Sequence, residues 1–196
     1  ESVKKDGWAV LNGEDENCLE IAKSLSCNVA LFSLDENCPA IIEHCAEGGI
    51  AAIYENGFIT IKKGDWKIRV ERATHIPLTL NAKAKFMIAN VLAATLSAYL
   101  YGFKTEDIKS SLTTFIPSAA QTPGRMNIFE FSKFKVLIDF AHNPTSYRGI
   151  EDYLSSVDAT RKIGIISGVG DRRDEDIREC AKIAARMFDH VIIRQE

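Results

Sequence analysis

Residues 28–61, NVALFSLDENCPAIIEHCAEGGIAAIYENGFITI, decide the fold class. Asn28 to Leu34 is a short, nearly continuous apolar run, the pattern of a strand buried on both faces. Ala40 to Glu47 follows as a short helix. The pattern then switches to the strand-like runs Ile50 to Tyr54 and Phe58 to Ile61, separated by Asn56-Gly57. Asn-Gly is a strong hairpin signal, because both turn positions need positive φ. Gly64-Asp65 separates the second run from a third, Trp66 to Val70, and the three together predict an antiparallel meander at a sheet edge. Upstream, Trp8 to Leu11 is an apolar run that ends in Asn12-Gly13-Glu14-Asp15. A helical pattern with Leu19, Ile21, Ala22 and Leu25 in apolar positions comes next. The resulting βαβα order predicts an α/β sheet with helices packed on it.

Downstream, Lys83 to Tyr101 reads as the longest helix. Met87, Val91, Ala94, Thr95 and Ala98 form its apolar stripe, and Gly102 stands where a helix stops. Thr105 is placed to cap a further helix, with Glu106 and Asp107 in its first turn. Thr113 to Gly124 loses periodicity and contains Pro117, Pro123 and Gly124. A boundary is expected there, dividing the chain into 1–117 and 118–196. Strand-like runs then return at Met126 to Phe131, Lys135 to Phe140, Ile163 to Ser167 and Val191 to Ile193. Helical patterns lie at Tyr147 to Leu154 and Asp174 to Phe188.

Composition narrows the function classes. With 24 basic and 27 acidic residues the net charge is -3, so there is no global electrostatic reason to bind nucleic acid or an anionic membrane. The longest mainly apolar run, Val91 to Leu100, is too short to span a bilayer. The five cysteines are odd in number and none has C-x-x-C spacing, which argues against a disulfide framework or a zinc site. Reduced, mostly buried thiols in a cytoplasmic protein are expected. The chain opens on Glu1, not methionine, and closes just after the apolar run 190–193, so a segment of a longer protein is expected.

Four polar constellations could carry chemistry. Gly168-Val169-Gly170-Asp171-Arg172-Arg173-Asp174 lies between a strand and a helix, where α/β sheets bind ligands. Arg173 stands where a dinucleotide fingerprint needs its third glycine, so that motif is absent. Arg172 and Arg173 suit a phosphate or carboxylate, and equally suit a solvated cluster with Asp171, Asp174 and Glu175. In Asp139-Phe140-Ala141-His142-Asn143-Pro144, a carboxylate leaving a buried strand suits a ribose hydroxyl, while a plain helix-capping loop explains the same residues. Arg125 sits at the exit of the linker in Gln121-Thr122-Pro123-Gly124-Arg125-Met126-Asn127. Asn90 lies on a flank of the apolar stripe, and its amide offers the donor and acceptor that an adenine edge needs.

In order along the chain, Ala9-Val10-Leu11-Asn12, Gly48-Gly49-Ile50-Ala51-Ala52, Phe86-Met87-Ile88-Ala89-Asn90, Gln121 to Asn127, Asp139 to Pro144 and Gly170 to Asp176 resemble the Mur-type amide ligases. The resemblance runs over essentially the whole chain. It implies the later part of a Mur-ligase central ATPase domain (1–117, without its phosphate loop), followed by an incomplete Rossmann-like C-terminal ligase domain (118–196). It implies ATP with Mg2+ as cofactors, the metal ligands lying mostly outside this chain. Asn90, Arg125, Asp139 and Asn143 would bind nucleotide, no residue here would ligate metal, and His142, Arg172 and Arg173 would serve catalysis. The branch it resembles adds arginine to a poly-aspartate chain through an acyl phosphate, and the full-length protein would be a homo-oligomer. G-x-x-x-x-G-K-[ST] occurs nowhere in the 196 residues, so this chain alone is expected to be inactive. A non-catalytic α/β module that binds an acidic peptide or nucleotide through Arg125, Arg172 and Arg173 remains the alternative.

Overall fold

The computed structural model describes residues 3–168 and 172–194. The chain divides into two compact units, Glu1–Ile116 and Pro117–Glu196. The first is built on a five-stranded sheet in the order β1 (Trp8–Asn12), β2 (Asn28–Ser33), β3 (Ile50–Glu55), β4 (Phe58–Lys63), β5 (Trp66–Arg72). The first three strands are parallel, joined through α1 (Glu16–Ser24) and α2 (Pro39–Ala46), and β3 to β5 form an antiparallel meander. The turn chemistry explains the reversals. Asn56 and Gly57 both take positive φ, 51° and 82°, and Gly64 takes 56° at the next turn.

Alternation along the strands separates two apolar faces. Ala51 and Ile53 of β3 pack with Leu31, Ile41 and Cys45 under α2. Ala52 and Ile59 face the other way, onto Ile88, Val91, Leu92 and Leu96 of α3 (Lys85–Tyr101). α4 (Thr105–Thr114) packs Ile108 against Ile61 and Val70 on that same face. At Gly49 the His44 ring lies 2.3 Å from where a Cβ would stand, so any larger residue at the α2-to-β3 turn would have to displace that ring.

Three details differ from the sequence reading. The buried residues of α3 are Met87, Ile88, Val91, Leu92, Thr95 and Leu96, while Ala94 is exposed. The helix is apolar around most of its circumference, so composition could not phase its stripe. Lys104, not Thr105, occupies the N-cap position, and no side chain caps the helix. Of the five cysteines, Cys38 and Cys45 are buried and the other three are only half-buried, because Cys18, Cys27 and Cys180 sit away from the centres of the clusters. Burial pushes the Cys45 thiol up, with Lys62 opposing.

Before α3, Leu80, Asn81 and Ala82 all adopt left-handed φ of 52–60°. The buried Thr79 hydroxyl helps hold this turn. It bonds the carbonyls of Ala73 (2.6 Å) and Ile76 (2.9 Å) and accepts from the Ala82 N–H (3.0 Å).

The second unit is also α/β. β6 (Asn127–Glu130) and β7 (Lys135–Ile138) form an antiparallel ribbon, and β8 (Ile163–Ser167) pairs in parallel with β9 (His190–Arg194). α5 (Pro144–Ser155) and α6 (Asp174–Met187) pack together around Tyr147, Ile183 and Ala184. Among the described residues, no helix is long and apolar enough to cross a membrane.

Candidate functional site

The polar constellation of the second unit is assembled by a lattice of short bonds at the carboxyl end of β7. Gly124 takes φ 66°, which lets its carbonyl accept from the Phe140 N–H at 2.8 Å. Its own N–H donates to Asn127 Oδ1 at 2.7 Å. Asn127 is buried, and its Nδ2 donates to the carbonyls of Thr122 and Arg125 at 2.9 and 3.3 Å. Asp139 Oδ2 accepts from the Met126 N–H at 2.9 Å, holding Met126 at a left-handed φ of 49°. The Thr122–Asn127 turn is thereby clamped to the end of β7.

Arg125 projects from that clamp. It is exposed, and its guanidinium carbon stands 5.5 Å from the centre of the Phe140 ring. Stacking of this kind orders the guanidinium while leaving its N–H fork available. The Phe140 and His142 rings are 5.4 Å apart, and His142 Nδ1 lies 3.0 Å from the Phe140 carbonyl. A carbonyl oxygen only accepts, so Nδ1 carries the proton and Nε2 is the nitrogen left to accept one. Asn143 is the N-cap of α5, with Oδ1 accepting from the Ser146 N–H at 2.9 Å. Pro144 at the first helical position completes this helix start.

His142 also borders a recess of about 170 Å³, shared with Tyr147, Ile166, Ser167, Gly168, Arg172, Ile177, Cys180, Ala181 and Ile193. Its polar groups are His142 and Arg172 with Ser167, at the carboxyl end of β8, and the rest is mainly apolar. The volume falls below the few hundred Å³ of a drug-sized pocket and suits an amino-acid-sized group. Burial raises the phenol of Tyr147 and the thiol of Cys180. Neighbouring Asp176 and Glu179 add to the Cys180 shift, with Arg148 opposing, so both groups stay neutral at physiological pH.

Arg173 is the N-cap residue of α6. Its Nε and Nη2 donate to the two Asp176 oxygens at 3.0 and 3.2 Å, and that carboxylate holds its pKa up. Its partner is thus Asp176, three residues on, while Asp174 pairs with Arg178 at 3.5 Å. Val169, Gly170 and Asp171 of the same loop lie outside the described residues.

Arg125, Asp139, His142 and Asn143 are therefore brought together in the second unit, and His142 connects them to Arg172. Asn90 lies in the first unit on the exposed side of α3, not on the flank of its apolar stripe. Among the described residues, its Nδ2 donates to the soft acceptor Met87 Sδ, at 3.7 Å. Phe140, Asn127 and Ser167 were missed by the sequence reading. Phe140 lies within the Asp139–Pro144 stretch, but its role as a stacking plate depends on a turn that brings Arg125 over it.

Residues 124–196 match the family of the Mur ligase, glutamate ligase domain. Over all 196 residues the chain is 46% identical to cyanophycin synthetase from Geminocystis herdmanii, of which it spans 22%. Among solved structures, MurF from Acinetobacter baumannii aligns with 96% of this chain and 38% of its own length, at 18% identity and a TM-score of 0.63. The MurF ligase of Thermotoga maritima in complex with ADP aligns with 97% of this chain and 40% of its own, at 14% identity and a TM-score of 0.59. The fold is the α/β arrangement of the Mur ligases. The chain spans about a fifth of the length of that cyanophycin synthetase.

Proposed function

We propose that this chain is part of an ATP-dependent amide ligase of the cyanophycin synthetase type. The observation that carries this reading is 46% identity to such an enzyme sustained over all 196 residues. In this reading the first unit is the later part of the central ATPase domain, and the second is part of the C-terminal ligase domain. The parent is cytoplasmic and homo-oligomeric.

A carboxylate is a poor electrophile. The γ-phosphoryl group of ATP passes to an aspartate side-chain carboxylate, giving ADP and an acyl phosphate. The amine of arginine then attacks the acyl carbon, and inorganic phosphate leaves as the amide forms. Asn90, Arg125 and Asp139 are assigned to the nucleotide, the last through the oxygen that Met126 does not use. Asn143 is assigned to the nucleotide as well, through the Nδ2 that its cap bond does not use. The recess is assigned to the incoming amino acid, with Arg172 facing its carboxylate and His142 Nε2 accepting the proton of its ammonium. Arg173 contributes positive charge to the same loop once Asp176 releases it. A divalent cation supplies charge neutralisation at the transferring phosphoryl group. Among the described residues no cluster of His, Cys, Asp or Glu could hold one, so none is assigned to it.

The test is phosphate release by the full-length parent with ATP, a poly-aspartate primer and arginine. Arg125→Ala is expected to raise the KM for ATP. Turnover only with a different amino acid would remove arginine and keep the ligase class, whereas no ATP consumption with any amino acid would remove the class. For the 196-residue chain alone, calorimetry is expected to show no micromolar ATP binding, because its sequence has no G-x-x-x-x-G-K-[ST].

A further inference from the structure

We propose that the outer face of the β4–β5 hairpin is a binding surface for an extended acidic peptide. The register settles which side chains share this face. Lys62 stands opposite Lys67, Thr60 opposite Arg69, and Phe58 opposite Arg72 beyond a bulge. Ile59 and Ile61 point to the α3 and α4 side, where α4 covers β5. Lys62, Lys67, Arg69 and Arg72 therefore lie on the opposite face, the one on which α2 packs against β2, β3 and β4.

The charge on this face is not balanced. Glu55, opposite Phe58 on β3, is buried and pairs with Lys67. Among the described residues, no carboxylate pairs with Lys62, Arg69 or Arg72. The two arginines instead stand over Phe58, their guanidinium carbons 5.1 and 4.4 Å from the ring centre. In a chain of net charge -3, this is a local reversal of sign. Cations on an edge strand also discourage strand-to-strand pairing, but that role needs only charge. Stacking on Phe58 additionally orders two guanidinium forks on one side of the hairpin, which lowers the entropic cost of gripping a carboxylate.

The spacing suits an extended chain. Alternate residues of a strand, such as Lys67 and Arg69, repeat at about 7 Å, and so do same-side carboxylates of an extended acidic peptide. A nucleic acid is disfavoured, because its binders carry a broad basic surface with a pI above about 9, and this chain has a pI of about 5.9. The inference does not rest on the ligase reading, and it concerns none of the residues assigned there.

The experiment is an anisotropy titration of a fluorescent aspartate decapeptide with the 196-residue chain at low salt, without ATP. Saturable binding that weakens as salt rises is expected. Arg69→Gln/Arg72→Gln should weaken it about tenfold, Arg69→Lys/Arg72→Lys should lose less, and the charge-matched Lys133→Gln/Arg161→Gln should leave it unchanged. No binding, equal binding by the glutamine pair, or displacement by a thymidine decanucleotide at lower concentration than by unlabelled peptide would overturn the proposal. If the glutamine pair does not fold, Lys62→Gln carries the test, and unchanged affinity there overturns it as well. Because the assay has no turnover, its failure is distinguishable from failure of the ligase assignment.

Discussion

In the first unit, α3 buries Ile88, Leu92 and Leu96 completely against Ala30, Ala52 and Ile59, and a second apolar cluster fills the other face of the same sheet. In the second unit, among the described residues, the cluster between α5 and α6 has Tyr147, Ile183 and Ala184 as its buried members, and Ile150 and Tyr153 of α5 are buried as well. Ile165 and Ile193 on its parallel strands are 71% and 76% exposed. The two units share an alternation of strand and helix but not a source of stability. Burial on two faces holds the first. The second relies more on individual polar devices: the Asp139–Met126 bond, the Asn127 lattice and the Asn143 cap. All the residues assigned to the site except Asn90 lie in the less apolar unit, where positioning depends on single hydrogen bonds.

Both tryptophans, Trp8 and Trp66, belong to the first unit, so tryptophan fluorescence reports its unfolding. The largest effect should come from Leu92→Ala. Leu92 is 0% exposed, and truncation removes apolar burial and leaves a cavity, costing about 2–5 kcal/mol. Urea denaturation followed by tryptophan emission measures it. A loss below about 1 kcal/mol would mean that the sheet does not depend on this face, and the contrast between the units would fail.

A middle-sized effect belongs to the one buried carboxylate that joins three elements of the first unit. Glu71 accepts from His75 Nδ1 at 3.0 Å, Lys109 Nζ at 3.1 Å and the Arg72 N–H at 2.7 Å, tying β5 to α4 and to the turn at residues 73–75. Burial pushes its carboxyl up, but those three donors outweigh burial and hold it below the usual carboxylate range. Glu71→Gln should cost about 1–3 kcal/mol at neutral pH. A depressed pKa gives stability that is complete above the unfolded value of about 4.3 and is lost as pH falls through the folded one. The gap between wild type and Glu71→Gln should therefore hold from pH 7 to about 5 and close in more acidic solution. A gap independent of pH would show that the carboxylate charge is not what joins α4 to the sheet.

Legibility in the sequence followed the range of the interactions. The Asn56-Gly57 hairpin and the stop of α3 at Gly102 were readable because the chemistry is local, and Gly102 does take φ 101°. The phase of α3, and with it the exposure of Asn90, was not readable in a helix with apolar residues on nearly every side. The left-handed run Leu80-Asn81-Ala82 contains no glycine to announce it and is held by Thr79, which bonds back to Ala73. Asp139 could be singled out as a strand-end carboxylate. Its bond to Met126, thirteen residues away, became visible only with the β6–β7 pairing. The sequence offered Asp171, Asp174 and Glu175 as partners for the arginines, and the helix start at Asp174 was legible, but Arg173 turns out to be the N-cap and reaches Asp176, three residues on.

The smallest effect tests the second unit and separates two roles of one residue. Asn143 caps α5, so Asn143→Ala should cost about 1 kcal/mol and leave the tryptophan-reported transition of the first unit in place. Hydrogen exchange is the sensitive measurement, since the Ser146 amide donates to the lost oxygen and should be the first to lose protection. Serine and aspartate are also good N-caps, and Asn143→Ser and Asn143→Asp should restore that protection. Neither carries the Nδ2 donor that the nucleotide assignment uses. In the full-length parent, a pure cap predicts that both replacements recover the KM for ATP along with the helix start. A ligand-binding Asn143 predicts that the helix recovers while the KM stays raised, so stability and affinity move together only if the residue's whole contribution is to begin α5.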